Sequence, residues 1–451
     1  MNDLKKDPRV LIVSHNPFSI NFNMGRTLSG FFKGWDKESI AQLFFRPEVP
    51  SGNVCENYYC FTDVDAIKSI FVRNKKGTII KKEIKESSNI DLTVGKYSMA
   101  YGLGPQKKPI ISMCRDLVWR LSSWNNKYFK KWLMDFSPDI VFFASGDYCF
   151  SYKIVLKIAK SYGIPLITFC ADDYFLYSVN NNKKMGKVYH QKLLRSAKKI
   201  INYSSMIITL NDLMAIDYSH LFAKSCRVIY TGTNYSFDNN RIRDNRICYL
   251  GNLGLGRAET IVNFANRFHA FCSDNNLDIK IEVYSNEQRK EILDIIKKCD
   301  YVSFRGPISY KEVETVTKSS CAVLHVESFE ENNKNRVKYS FSTKIADILA
   351  SGTPLIAYGP PDIASIAYLK NNGCAIVISH DDEFDDEILK LFNREYAEET
   401  VRRAREIAKM NHDCDNNVKL IKQFIIEAID SYKTSSRDCK NVTRDNNRSW
   451  K

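Results

Sequence analysis

Short apolar runs recur along the chain, and between them apolar positions space out at intervals of three and four. The runs at 9–14 (RVLIVS), 138–144 (PDIVFFA), 165–170 (PLITFC) and 206–210 (MIITL) carry too few polar positions for a strand with one wet face. They predict buried strands, and 227–230 adds another. Segments 21–34 and 152–162 have helical spacing, the second stopped by Gly163. Strands rich in Val, Ile and Phe, separated by helices of about ten residues, predict a parallel sheet covered on both faces.

The pattern restarts after residue 245. Strands are expected at 246–250, 280–284, 301–304, 321–326, 354–358 and 375–378. Helices are expected at 259–273, 286–298, 310–318, 343–351 and 364–372. This predicts a second doubly wound α/β lobe. The polar, Asn-rich stretch 236–245 reads as the linker, giving domains at 1–235 and 246–415. Residues 416–432 read as a long amphipathic helix. The polar, basic stretch 433–451 reads as a tail without fixed order.

Composition narrows the class without naming it. Hydrophobic residues make up 44 % and charged residues 26 % of 451 positions, the balance of a globular protein with a real core. No stretch reaches the roughly 20 uncharged apolar residues that span a bilayer. The first residues run straight into a strand with no secretory leader, which predicts a cytoplasmic protein. The thirteen cysteines are scattered with no C-x-x-C spacing, so free buried thiols are expected rather than disulfides or a metal site.

Charge is uneven. Residues 1–240 hold 34 Lys and Arg against 20 Asp and Glu, whereas 241–451 hold 32 of each. The whole excess of +14 lies in the first half. A one-sided basic lobe predicts an anionic partner.

Ligands of doubly wound sheets bind beyond the carboxyl ends of strands, so the candidate chemistry lies in the loops that follow strands. Gly251-Asn252-Leu253-Gly254-Leu255-Gly256-Arg257 follows a strand and opens a helix. Its glycines allow close approach to a phosphate, and Arg257 can grip one with a bidentate fork. The segment lacks a third fingerprint glycine, since Glu259 stands there, and the next strand ends without an acidic residue, which argues against a dinucleotide. In 339–356 (YSFSTKIADILASGTPLI), Ser342 or Thr343 caps a helix whose free N–H groups can hold a diphosphate. Lys344 sits in its first turn, an unfavourable place for a cation unless an anion is bound nearby. Asp347, one turn on, can accept hydrogen bonds from a ribose diol. Asp172, after the strand at 165–170, can orient an acceptor hydroxyl or take its proton.

This segment resembles the donor-site signature of GT-B glycosyltransferases of the retaining family-4 type: an acidic residue on a helix, then a small-x-Gly-x-Pro turn into an apolar strand. Asp347 and Ala350-Ser351-Gly352-Thr353-Pro354 carry the likeness. Gly251, Asn252 and Arg257 resemble the loop that holds the donor phosphates. Arg305-Gly306, in Phe304-Arg305-Gly306-Pro307, resembles the turn that contacts the base. Gly25, in Asn23-Met24-Gly25-Arg26, resembles the glycine loop near diphosphate and acceptor. The resemblance implies a GT-B fold, two Rossmann-like domains facing a central cleft, with helix 416–432 crossing back to the first. It also implies sugar transfer from a nucleotide-sugar with retention.

The chain departs from that family in one respect. The first of two glutamates eight positions apart is replaced by Tyr339. Glu327, beyond the preceding strand, is the candidate to contact the sugar in its place. No Asp-x-Asp stands in a loop suited to Mg²⁺, so a metal-independent reaction without cofactor is expected, with Arg257 and Lys344 bearing the leaving charge.

Residues 115–136 hold three of the five tryptophans and five basic residues. They read as one interfacial helix for an anionic membrane. The expectation is a cytoplasmic glycosyltransferase, peripheral on the membrane, with a glycan or lipid-linked acceptor. A nucleotide-sugar 2-epimerase and a catalytically silent nucleotide-sugar-binding protein are the alternatives. No nucleic-acid motif is recognised.

Overall fold

Eight apolar strands order the first half of the chain: β1 (Val10–Ser14), β2 (Ile40–Phe44), β3 (Asn57–Cys60), β4 (Thr78–Lys81), β5 (Ile140–Ala144), β6 (Leu166–Cys170), β7 (Met206–Thr209) and β8 (Cys226–Val228). They form one sheet in the order β4-β3-β2-β1-β5-β6-β7-β8. All neighbours are parallel except β4, which pairs antiparallel with β3 at the edge. The computed structural model describes residues 7–20, 23–72, 74–81, 109–176, 184–233, 235 and 243–446.

Six further strands form a second, wholly parallel sheet: β9 (Asp244–Leu250), β10 (Lys280–Tyr284), β11 (Val302–Gly306), β12 (Ser320–Val326), β13 (Leu355–Tyr358) and β14 (Ile376–Ile378). The order β11-β10-β9-β12-β13-β14 is the doubly wound pattern in which the first strand lies centrally and the chain reverses direction beside it. The switch point therefore falls between β9 and β12. Two units result, Met1–Ile229 with Asn417–Lys451, and Tyr230–Asn416.

The units divide six residues before the expected boundary at 235, for a visible reason. Thr233 donates its backbone N–H to His412 O (2.8 Å) and its hydroxyl to Asp347 (2.6 Å), which ties it to the second unit. Most of the expected linker, 236–242, lies outside the described residues. The helix expected at 416–432 runs over Cys414–Asn446, because no Gly or Pro interrupts 433–446. The stretch read as a tail is thus helical to Asn446, and 447–451 lie outside the described residues. Ile421, Ile425 and Ile429 of this helix enter the same core cluster as Val10, Ile12 and Phe142 of the first sheet.

Two readings need correction. β2 escaped the apolar pattern because Gln42 sits in its middle, fully buried. It donates to Ser14 Oγ (2.8 Å), and its Oε1 accepts from Phe18 N (3.0 Å), so the amide is satisfied inside. The single interfacial helix over 115–136 is two helices, Pro109–Leu121 and Lys127–Phe136, with Asn126 capping the second by accepting from Tyr128 N and Phe129 N. Their tryptophans face inward. Trp119 stacks on Phe150 at 4.3 Å and donates to Asp63 (2.6 Å), while Trp132 donates to Asn57 (2.6 Å). Among the described residues, no helix is long and apolar enough to cross a membrane.

Candidate donor site

The second sheet brings together residues from three strand ends. β9 runs into the loop 251–256, and the helix Arg257–Asp274 starts behind it. Asn252 fixes this loop, its Oδ1 accepting from Gly254 N (2.7 Å) while its carbonyl accepts from Tyr249 Oη (2.6 Å). Gly251 allows the tyrosine in, since a Cβ there would meet Tyr249 Oη at 2.8 Å. Gly256 has φ +76°, and its missing Cβ would lie 2.4 Å from Ser328 Oγ. Only glycine lets the end of β12 approach the helix start so closely.

Arg257 and Glu327 meet across the switch point. Arg257 Nη2 stands 2.9 Å from both carboxylate oxygens of Glu327. The two side chains are only 15 % and 3 % exposed. Burial pushes the Glu327 carboxyl up against the pull of Arg257. His325, at the end of β12, shares a hydrogen bond with Ser365 Oγ (3.0 Å) through Nε2. Burial, then the charges of Arg257 and Lys344, lower its pKa to about 3. The imidazole is thus neutral, and two cations stand close enough to repel its proton.

Lys344 belongs to the helix Thr343–Ser351. Ser342 caps that helix, its hydroxyl accepting from Lys344 N (3.4 Å), and Gly352 ends it in the left-handed region. Arg257, Glu327, Ser342, Thr343 and Lys344 therefore gather at the carboxyl ends of β9 and β12 and at one helix start. The arrangement offers two cations, a helix start and one buried carboxylate, a set suited to an anionic ligand with hydroxyl groups.

Other expected residues are placed differently. Asp347 is buried, and one of its oxygens accepts from the Thr233 hydroxyl. Arg305 joins a separate network on β11 and β10, where it donates to Glu282 (2.9 Å), which also accepts from Tyr284 Oη (2.5 Å). Gly306 follows with φ +78°. Gly25 and Asp172 lie in the first unit. A Cβ on Gly25 would meet Pro17 O at 2.3 Å, so this glycine seats the helix Asn23–Phe31 against the loop after β1. Asp172, exposed beyond β6, accepts from Tyr174 Oη (3.5 Å), while its neighbour Asp173 accepts from Tyr218 Oη (2.8 Å). His325 and Ser328 escaped the sequence reading. Their signal was position, immediately at and after the end of a central strand.

Two doubly wound sheets with this strand order define the GT-B fold. Residues 265–423 match the family described as "Glycosyl transferase-like". The match includes Glu327 and Lys344 and begins after Arg257. No curated protein sequence matches the chain. Among solved structures, a sucrose-phosphate synthase from Thermosynechococcus elongatus is similar over 94 % of this chain and 100 % of its own, at 11 % identity and TM-score 0.59. HepE of Anabaena in complex with UDP is similar over 93 % of this chain and 100 % of its own, at 10 % identity and TM-score 0.57. HepE with UDP-glucose gives 11 % identity and TM-score 0.53 over 93 % of this chain and 99 % of its own.

Proposed function

We propose that the chain transfers a sugar from a nucleoside-diphosphate sugar to an acceptor held at a membrane surface, with retention at the anomeric carbon. The observation that carries this reading is that the buried Arg257–Glu327 pair at the switch point and Lys344 at a capped helix start both act on neutral His325. Departure of a nucleoside diphosphate leaves an oxocarbenium-like carbon and a growing negative charge on the leaving oxygens. In this reading Arg257, Lys344 and the dipole of the helix behind Ser342 stabilise that charge, and the proposed reaction relies on them instead of a metal. Glu327 holds Arg257 and offers an oxygen to a sugar hydroxyl. Asp172 is the proposed acceptor of the attacking hydroxyl's proton. HepE was solved with UDP and UDP-glucose, so a uridine nucleotide is the first donor to test.

The test is release of nucleoside diphosphate from a panel of nucleotide-sugars, with and without membrane lipid extract. Release that depends on the extract supports transfer. Interconversion of the sugar without extract points to epimerisation. Thermal stabilisation by nucleotide with no turnover points to a silent binding protein, the reading that Tyr339 in place of a glutamate would favour.

A further inference from the structure

The helix Asp63–Phe71 turns Ala66 and Ser69 inward. Its outward side carries Ile67, Phe71 and then Val72, which are 48 %, 82 % and 58 % exposed. The helix Pro109–Leu121 buries Asp116 and Trp119 and leaves Ile110, Leu117 and Leu121 54–60 % exposed. Those three recur at intervals of seven and four, one continuous stripe along the helix. The two helices are pinned side by side. Arg115 donates to Asp63 (2.8 Å), and Ser123 Oγ donates to Ser69 O (2.6 Å). These polar anchors fix which sides face in, so both apolar stripes are held outward.

The charges on this face have one sign. Asp63 is taken by Arg115 and Trp119, Asp65 caps its own helix through Thr62, and Asp116 pairs with Lys192 (2.6 Å). Among the described residues of the two helices, the exposed charges are Lys68 and Arg120, and exposed Lys76 follows the first helix. Contiguous exposed apolar side chains mark an interaction surface. Here the apolar residues are aliphatic and Phe, and the rim is cationic.

We propose that this two-helix face seats the protein on an anionic lipid surface. Phe71, Val72, Leu117 and their neighbours enter the boundary between headgroups and acyl chains, and Lys68, Lys76 and Arg120 meet lipid phosphates. A second copy of the chain would bring like charges together, which disfavours a self-contact here. The inference rests on the membrane part of the proposed function and gives it a location different from the tryptophan helix that the sequence suggested.

The experiment is co-sedimentation of the full chain with vesicles of phosphatidylcholine alone or mixed with phosphatidylglycerol, with UDP affinity measured in parallel. Binding to the mixed vesicles is expected, weakened by salt. The variant Phe71→Ser/Val72→Ser/Leu117→Ser should lose at least tenfold in vesicle affinity, and Lys68→Glu/Arg120→Glu should lose preference for the anionic lipid. UDP affinity should stay unchanged in both, which shows the second unit intact and separates this face from the donor site. Absence of vesicle binding, or equal binding by the variants, overturns the proposal. So does concentration-dependent self-association of the wild type that the triple variant abolishes, because a second copy would then own the face. Failure of UDP to bind any form would instead count against the donor-site reading.

Discussion

Arg257 Nη2 stands 2.9 Å from both oxygens of Glu327, joining the ends of β9 and β12 where the second sheet reverses direction. The pair serves two ends. It neutralises a buried carboxylate beyond two central strands, and it holds a guanidinium at the place where doubly wound sheets receive their ligands. Arg257→Ala should therefore destabilise the second unit by about 3–5 kcal/mol, because Glu327 is left as an uncompensated buried charge. Arg257→Ala combined with Glu327→Gln should recover part of that loss in denaturant unfolding. Equal stability of the single and double variants would show that the pair is not coupled.

Lys344 lies in the first turn of a helix whose dipole disfavours it, and its charge is felt at His325. Lys344→Ala should leave the melting temperature of the free protein nearly unchanged. It should weaken UDP or donor binding about 10- to 100-fold, the loss of one charge-assisted contact of roughly 1.5–3 kcal/mol. Calorimetric titration decides the matter, and wild-type affinity in the variant would remove Lys344 from the site.

Two buried histidines set an acid limit on the second unit. Burial and nearby cations lower His325 to about 3. Burial lowers His412 to about 4, where it contacts Thr231 O (2.8 Å) and Tyr368 Oη (2.9 Å). Their ordinary value is near 6.5. Below that pH the unfolded chain takes up protons that the folded chain refuses. The stability contributed by the neutral rings is complete above pH 6.5 and falls as pH drops toward 4, by up to about 1.4 kcal/mol per pH unit for each ring. Thermal melting from pH 7.5 to 4.5 should show this slope, and His412→Gln should flatten it.

Gly256→Ala tests the close approach at the helix start. Its φ of +76° and a Cβ only 2.4 Å from Ser328 Oγ predict a loss of about 1–3 kcal/mol and weaker nucleotide binding. A variant with unchanged melting temperature would mean the loop re-forms without cost.

Asp172→Asn probes the proposed base in the first unit. A fall of about 10²- to 10⁴-fold in kcat with little change in donor affinity is expected. Unchanged turnover would assign the proton to another group.

The second sheet was legible almost strand by strand. Helix Thr343–Ser351 was read to the residue, because a Ser cap and a Gly-Pro stop bracket it. Helix 286–298 began late, at Lys290, since Glu287 spends its carboxylate on Gln288 N, Arg289 N and the Arg289 side chain. The first sheet hid more. Gln42 broke the apolar run of β2, and a short Ser-Ser-Trp-Asn-Asn break split an apparently continuous aromatic helix. Such partners lie far apart in the chain: Trp119 answers to Asp63, and Trp132 to Asn57. At the site, the pattern located the loops but not the pairings. That Glu327 grips Arg257, and that Asp347 bonds Thr233, follows from long-range packing that periodicity does not encode.

The helix Cys414–Asn446 carries a consequence for biosynthesis. Ile421, Ile425 and Ile429 complete a core whose other members are made from residue 10 onward. On the ribosome, the first sheet thus waits for residues made after the whole second unit before its apolar layer can close, while the unit between them can finish sooner. The nascent first half spends that interval with a vacant seam, so shortening the chain before residue 421 should yield an aggregating product rather than a smaller working lobe.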